Sequence, residues 1–543
     1  MKEYCIALDI GTSGLRCQVL DKETGKTLAT SITQRHPIPG MNVIDHVNFA
    51  IQSGEDVANG LMIGAINQLF SSLDVDLSLV KTVAVCGNPF QLSLFQNIEI
   101  RDLAYAGKNM LKELGVVSPP RDGDIINASD IGLKGLALGA KVIIPPAVTH
   151  EIGADAIAML MITDVLTVKE PCIVVDYGTN AEMALIVNGK IYTGSAAAGP
   201  ALEGQEIERG MLAAPGAIAD VNITEKGWAC SVLDRSMVDC DGDVVDPATG
   251  NTVVEGYMHK KAIGITGTGV VAALYCGMKQ GDIDPPLIKF PDSKVHLQDG
   301  INISSDDVDE AGKAIGALRA GFLTLLNEAG LWTGDVKLAY MSGASGLYVD
   351  AIKALSIGMV VPGAERIIQF GNTSIELARR IAMGQVDLIG LRDFAMKLRA
   401  THCMFATSEV FKNIYSIEYS LWCTHMPMSE YNNMLELYNL PYLSKPNDNV
   451  TVKRLARTDL PDTENTKVKI LEDSGTVLVG EIEGCIHCEC CVNACPEQAI
   501  SIGQVGDRTF GYVKSDRCAG TACRRCEAAC NEQVLHITPF RVQ

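Results

Sequence analysis

Along the first twenty residues the chain is apolar, breaks at a glycine turn, and then alternates. Tyr4-Cys-Ile-Ala-Leu-Asp-Ile is the apolar run of a buried strand, and Leu15-Arg-Cys-Gln-Val-Leu-Asp21 has the period-two alternation of a second strand. The pattern returns later: Cys5-Ile-Ala-Leu-Asp-Ile-Gly-Thr-Ser13 recurs as Cys172-Ile-Val-Val-Asp-Tyr-Gly-Thr-Asn180, with five identities in nine positions and again an alternating strand behind it. Just before the second copy, Ile152-Gly-Ala-Asp-Ala-Ile-Ala-Met-Leu160 predicts a small-residue helix, in which Gly153 and Ala154 permit close backbone approach. Tyr340-Met-Ser-Gly-Ala-Ser-Gly346 is a glycine-punctuated loop, and the stretch from Gly371 to Arg380 predicts a helix capped by Asn372 or Thr373. From Asn439 to Gly484, prolines, charges and some alternation predict a linker with a small subdomain.

No helix follows the first turn, so it is not a Walker P-loop. A strand-turn-strand of this kind brings the backbone N–H groups of Gly11, Thr12 and Ser13 against a phosphate, while Asp9 holds a magnesium ion through water. A single such turn is an ordinary hairpin; its recurrence, with Asp176, Gly178, Thr179 and Asn180 in matching places, makes a pair of phosphate clamps. Here the sequence resembles the actin, sugar-kinase and heat-shock ATPase superfamily. The resemblance implies an α/β fold of two ribonuclease-H-like lobes facing each other across a cleft for ATP with Mg2+. It also implies catalytic roles for Asp9 and Asp176, and an adenosine loop in which Gly343 and Gly346 give base and ribose access to the backbone. Asp155, beside the crossing helix, and Glu182, beside the second clamp, are the candidates for the acid that orients the attacking water.

With 543 residues, 47% of them hydrophobic and 20% charged, the chain is long enough for three or more domains with large cores. The most apolar glycine-rich run, Gly264 to Met278, is shorter than the ~20 residues a membrane-spanning helix needs, so no membrane partner is expected. A formal net charge of −20 argues against nucleic acid, whose phosphates demand a basic surface.

Cysteine usage changes the picture most. Nine of the eighteen cysteines fall between residues 485 and 530. Cys485, Cys488, Cys491 and Cys495-Pro496 have the spacing Cys-x2-Cys-x2-Cys-x3-Cys-Pro, and Cys495-Pro-Glu-Gln-Ala-Ile-Ser-Ile recurs thirty-five residues later as Cys530-Asn-Glu-Gln-Val-Leu-His-Ile. The segment resembles an internally duplicated bacterial-type ferredoxin, a small α+β iron-sulfur domain, in which the fourth cysteine of each motif ligates the other cluster. That resemblance implies two 4Fe-4S clusters, one on Cys485, Cys488, Cys491 and Cys530, the other on Cys518, Cys523, Cys526 and Cys495. Two departures bear on the loop, potential and nuclearity of the second cluster: four residues separate Cys518 from Cys523, and Asn531 replaces the expected proline. Cys490 stands outside the pattern as a bystander thiol. Paired zinc sites would show two Cys-x2-Cys pairs a dozen or more residues apart, and a disulfide framework is not expected of a cytoplasmic chain without a signal peptide.

The two resemblances partition the chain into lobe I at 1–168, lobe II with the adenosine loop at 169–370, a second interlobe helix and return to lobe I at 371–438, a linker or small subdomain at 439–480, and the ferredoxin domain at 481–543. Three further stretches, Gly194 to Ile218, Gly264-Ile-Thr-Gly-Thr-Gly269 and Cys86-Gly-Asn-Pro-Phe90, resemble corrinoid-protein reductive activases. The family joining an ATPase of this fold to a C-terminal two-cluster ferredoxin is the methylamine methyltransferase corrinoid protein reductive activase. Membership implies ATP-dependent reduction of inactive cobalt(II) to cobalt(I) in partner corrinoid proteins, with electrons from a low-potential donor that the sequence does not identify. An activator of radical dehydratases is the alternative, disfavoured by the appended ferredoxin, and a non-catalytic electron-transfer module or a small-molecule kinase follow behind it.

Overall fold

The strand Tyr4–Ile10 is buried along all but its first residue and lies inside a seven-stranded sheet. In this computed structural model, which describes residues 2–105, 108–178, 180–197, 206–464, 466–521 and 523–542, the chain forms two units. The first holds residues up to Ala158, Ser374–Lys397 and Asp462–Gln543; the second holds Met159–Thr373 and Leu398–Pro461.

In the first unit's sheet, Leu15–Asp21 and Thr27–Thr33 continue from Tyr4–Ile10 as an antiparallel meander on one side. On the other side lie Val80–Gly87 and Lys141–Ile144, parallel to it, and then Asp124–Asn127. The second unit repeats the plan: Cys172–Tyr177, Ala181–Val187 and Lys190–Ala196 form the meander, and Leu338–Ser342 and Arg366–Gln369 add on in parallel. The repeated nine-residue motif is thus the visible part of a repeated sheet.

Four boundaries differ from the sequence expectation, the first being that the opening stretch of lobe I, expected to run to residue 168, ends at Ala158. Residues 398–438, expected to return to the first lobe, belong to the second unit, because the helix Glu409–Cys423 packs on the long helix Ser305–Ala329. Arg319 of that long helix meets Glu418 at 3.0 Å in the core, and its guanidinium lies 5.1 Å from the ring of Tyr431. The segment 439–480 is not a free linker: Thr451–Arg454 pairs in parallel with Arg366–Gln369 in the second unit, and Val468–Leu471 with Thr27–Thr33 in the first. The cysteine-rich domain begins before residue 481, since Val477–Glu481 pairs with both Arg508–Lys514 and Arg541–Val542 in its four-stranded sheet. The second unit also carries a five-stranded sheet built from residues 217–265, for which the sequence reading had no element.

The long helix shows how local sequence sets these limits. Ser304 and Asp307 form a reciprocal capping box at its start, and Gly330, at φ 67°, ends it in the left-handed region. Among the described residues no helix is long and apolar enough to cross a membrane.

Candidate nucleotide and iron-sulfur sites

In the first unit, the hairpin turn is closed by the Gly11 N–H donating to the Gly14 carbonyl at 3.1 Å. Counting outward from that turn pairs Asp9 with Arg16 across the two strands, and Arg16 Nη1 meets the buried Asp9 carboxylate at 3.2 Å. On the parallel neighbour, Asp9 faces Cys86; just beyond it, Asn88 Nδ2 donates to Thr12 Oγ1 at 3.2 Å. Asp155 lies at the start of the helix Ala154–Ile162, where the N–H groups of Ala156 and Gly153 donate to its Oδ1 at 2.8 and 3.1 Å. Burial pushes the Asp155 carboxyl up to about 6, those amides oppose the rise, and the charge on Asp9 adds to it. Burial likewise lifts the Cys86 thiol well above its usual range, with Asp9 and Asp155 reinforcing the shift and Ser374 opposing it. Asp9, Cys86 and Asp155 are therefore one electrostatic group. A side chain at position 153 would stand 2.8 Å from Pro89 and 3.0 Å from the Gly87 carbonyl, the close approach expected of Gly153.

The second unit gathers the other candidates. Asp176 is the cross-strand partner of Glu182, and Ser342 Oγ donates to Asp176 Oδ2 at 3.3 Å. Glu182 is buried and accepts from Ser195 Oγ at 3.3 Å. Gly178 N–H donates to the Asn180 carbonyl at 3.1 Å, which closes the turn; Thr179 lies outside the described residues. The stretch expected as a glycine-punctuated loop turns into a short helix, Gly343–Tyr348; Gly343 has φ +81°, and a Cβ there would stand 2.4 Å from Asp176 Oδ1, so glycine is what lets this backbone lie against the acid. Gly346 packs against the ring of Tyr177 in the same way.

Asp155 thus sits with the first aspartate and Glu182 with the second. Arg16, Asn88 and Ser342 were missed by the sequence reading. Arg16 was recoverable, since a four-residue turn fixes which residue faces Asp9; Asn88 and Ser342 reach their partners only through sheet pairing.

The cysteines fall into two groups. Cys491 is raised by burial and then by Cys485 and Cys530; Cys518 and Cys526, pushed up to about 12 and about 11 chiefly by burial, each feel both Cys495 and Cys523. Each group therefore contains the fourth cysteine of the other motif. Cys488 is exposed and is held below its usual range by hydrogen bonds from Cys490, whose thiol in turn feels Cys530. Among the described residues no three His, Cys, Asp or Glu side chains converge as ligands of a single ion do; a cubane instead holds its thiolates apart by its own width. The grouping agrees with the crossed sets that the ferredoxin resemblance implies for seven of the eight cysteines, Cys488 being tied to Cys490 instead.

Two family models match this chain: "RACo middle region" over residues 4–167 and "C-terminal domain of RACo the ASKHA domain" over residues 170–432. A protein from Methanosarcina barkeri named "[Co(II) methylated amine-specific corrinoid protein] reductase" is 48% identical over 519 residues, 96% of either chain. The chain belongs to the corrinoid-protein reductive activase family. A second relative, "Corrinoid activation enzyme RamQ" of Eubacterium limosum, is 25% identical over 375 residues, covering 66% of this chain and 60% of its own. The solved structure of a "Reductive activator for corrinoid,iron-sulfur protein" superposes with a TM-score of 0.61 at 22% identity, covering 77% of this chain and 66% of the other, and shows the shared fold. The cysteine-rich segment lies beyond both family models.

Proposed function

We propose that the chain is an ATP-dependent oxidoreductase that returns corrinoid proteins of methylamine methyltransferase systems from inactive cobalt(II) to cobalt(I). What supports this reading is the crossed grouping of seven thiols, Cys485, Cys491 and Cys530 in one set and Cys495, Cys518, Cys523 and Cys526 in the other, in the unit that also bears the Asp9 turn, within a chain of the activase family. Two 4Fe-4S clusters, one on Cys485, Cys488, Cys491 and Cys530 and one on Cys495, Cys518, Cys523 and Cys526, supply one-electron carriers between an external low-potential donor and the partner's cobalt.

The residues of the chain take the following parts. Thr12 and Ser13 in one turn, and Thr179 and Asn180 in the other, offer backbone and side-chain donors to phosphate, while the N–H groups of Gly11 and Gly178, expected to do the same, are engaged in closing the turns. Asp9, paired with Arg16, and Asp176, which accepts from Ser342, would hold the magnesium through water. Gly343 and Gly346 leave room for adenosine. Asp155 orients and deprotonates the attacking water, for which a carboxyl with a pKa near 6 is better matched than an ordinary aspartate; Glu182, which accepts from Ser195 on the next strand, backs Asp176 across the strand pair. ATP drives the uphill electron only if the chain binds it unequally in two states of the partner complex.

The test is ATP hydrolysis by the iron-loaded protein with and without a cobalt(II) methylamine corrinoid protein. Stimulation by that partner is expected. Equal rates with and without it would remove the partner assignment.

A further inference from the structure

The two extra residues between Cys518 and Cys523 have a place in the fold. Gly520 and Thr521 of that longer loop press on the segment 36–46 of the nucleotide-binding sheet's unit. A Cβ on Gly520, at φ +81°, would lie 2.8 Å from both the Gly40 Cα and the Asp45 carboxyl carbon, and Thr521 Oγ1 donates to Asp45 Oδ1 at 3.4 Å. Gly40 N–H donates to the Cys518 carbonyl at 2.9 Å. Around this contact Ser515 Oγ donates to the Pro37 carbonyl at 2.7 Å, and Arg35 meets Glu497 at 2.5 Å.

From Gly40 the bonding continues inward. Its carbonyl is 3.3 Å from His46 Nε2, and His46 Nδ1 is 2.8 Å from Gln91 Nε2. Burial holds His46 down to about 4 and His36, stacked on it at 4.3 Å, well below its usual range, so both rings are neutral. A neutral His46 that donates from Nε2 to Gly40 must accept at Nδ1 from Gln91, so Gln91 is the donor at the centre from which the bonds run outward both ways. Gln91 N–H then donates to Asn88 Oδ1 at 2.9 Å, and Asn88 Nδ2 donates to Thr12 Oγ1.

We propose that this chain, Thr12–Asn88–Gln91–His46–Gly40–Cys518, couples phosphate occupancy of the Thr12 turn to the reduction potential at the Cys495, Cys518, Cys523 and Cys526 site, with Gln91 and His46 as positioning residues. The inference rests on the proposed function for the identity of both ends, and adds which cluster responds to nucleotide and through which residues. A phosphate accepting from the Thr12 hydroxyl changes the bond Asn88 makes there; Asn88 caps the helix Pro89–Phe95 that carries Gln91, and the far end of the path is the main chain of a cluster ligand. Linkage makes the effect reciprocal: a tenfold difference in nucleotide affinity between oxidised and reduced protein equals about 59 mV for a one-electron centre.

The experiment is a potentiometric titration of the full iron-loaded protein, followed by electron paramagnetic resonance, with and without a non-hydrolysable Mg-ATP analogue whose binding is measured separately. Wild type is expected to bind the analogue and to shift one of its two midpoints, with an affinity ratio of about tenfold or more. Gln91→Leu, which keeps side-chain bulk and removes the donor to His46, is expected to bind the analogue and lose the shift. An equal shift in Gln91→Leu, or binding to wild type with no shift, overturns the coupling. Failure of wild type to bind the analogue overturns the proposed function instead. Should Gln91→Leu not fold, hydrogen exchange on wild type decides: slower exchange in 36–46 and 515–521 on binding the analogue supports the path, and unchanged exchange overturns it.

Discussion

Asp155→Asn is expected to make the protein more stable and less active at once. The carboxyl ionises near 6 in the folded chain, against 3.8 for the ordinary group. Between those values the folded state binds the extra proton, so stability falls as pH rises through that window, and the whole cost is present above it. A difference of about two units at 1.36 kcal/mol per unit gives about 3 kcal/mol. Because the side chain keeps partial exposure, that figure is a ceiling. Asparagine retains the Oδ1 that accepts from Gly153 and Ala156 and carries no charge beside Asp9. In nucleotide-free, magnesium-free protein at pH 8, denaturant unfolding of Asp155→Asn should therefore show a gain of up to about 3 kcal/mol that shrinks towards pH 5. Its ATP hydrolysis should fall by roughly 10²–10⁴-fold with nucleotide binding retained. A variant that is less stable than wild type at pH 8, or that hydrolyses ATP at the wild-type rate, refutes the argument.

Replacing Asp9 or Asp176 by alanine should abolish ATP-dependent activation and leave the iron-sulfur absorption unchanged, which visible spectra beside an activation assay will show. Gly343→Ala, which meets Asp176 and forces a side chain onto φ +81°, should weaken nucleotide binding by about tenfold or more, read by equilibrium dialysis. Cys495→Ala should remove the cluster otherwise held by the second motif, and Cys530→Ala the one held by the first, each with loss of about half the iron; loss of the same cluster in both variants would disprove the crossed assignment. Arg319→Met leaves Glu418 buried without its cation and should cost about 3–5 kcal/mol in urea unfolding.

The repeated turn was legible because it is local. A strand, a glycine turn and a strand are contiguous, and their repetition, Asp9 with Asp176, announced the repeated sheet. The duplication of the cysteine motif was legible because its spacing repeats within the sequence. What lay hidden depends on distant pairing. The strands Thr451–Arg454 and Val468–Leu471 are short and exposed at sheet edges, so their composition reads as linker, and only their parallel partners identify them. The helix Glu409–Cys423 is amphipathic like any surface helix, and its assignment to the second unit follows from the Arg319–Glu418 pair across 99 residues of sequence. The long Cys518–Cys523 loop stood out as a departure, but its contact with Gly40 could not be seen until the fold brought the two together.

The central claim is ATP-dependent reduction of a corrinoid partner. Anaerobic protein would be mixed with a cobalt(II) methylamine corrinoid protein and a low-potential reductant, and cobalt(I) absorbance followed with and without Mg-ATP. Growth of the cobalt(I) band only when Mg-ATP is present is the predicted result; hydrolysis of ATP with no cobalt(I) formed would contradict the account.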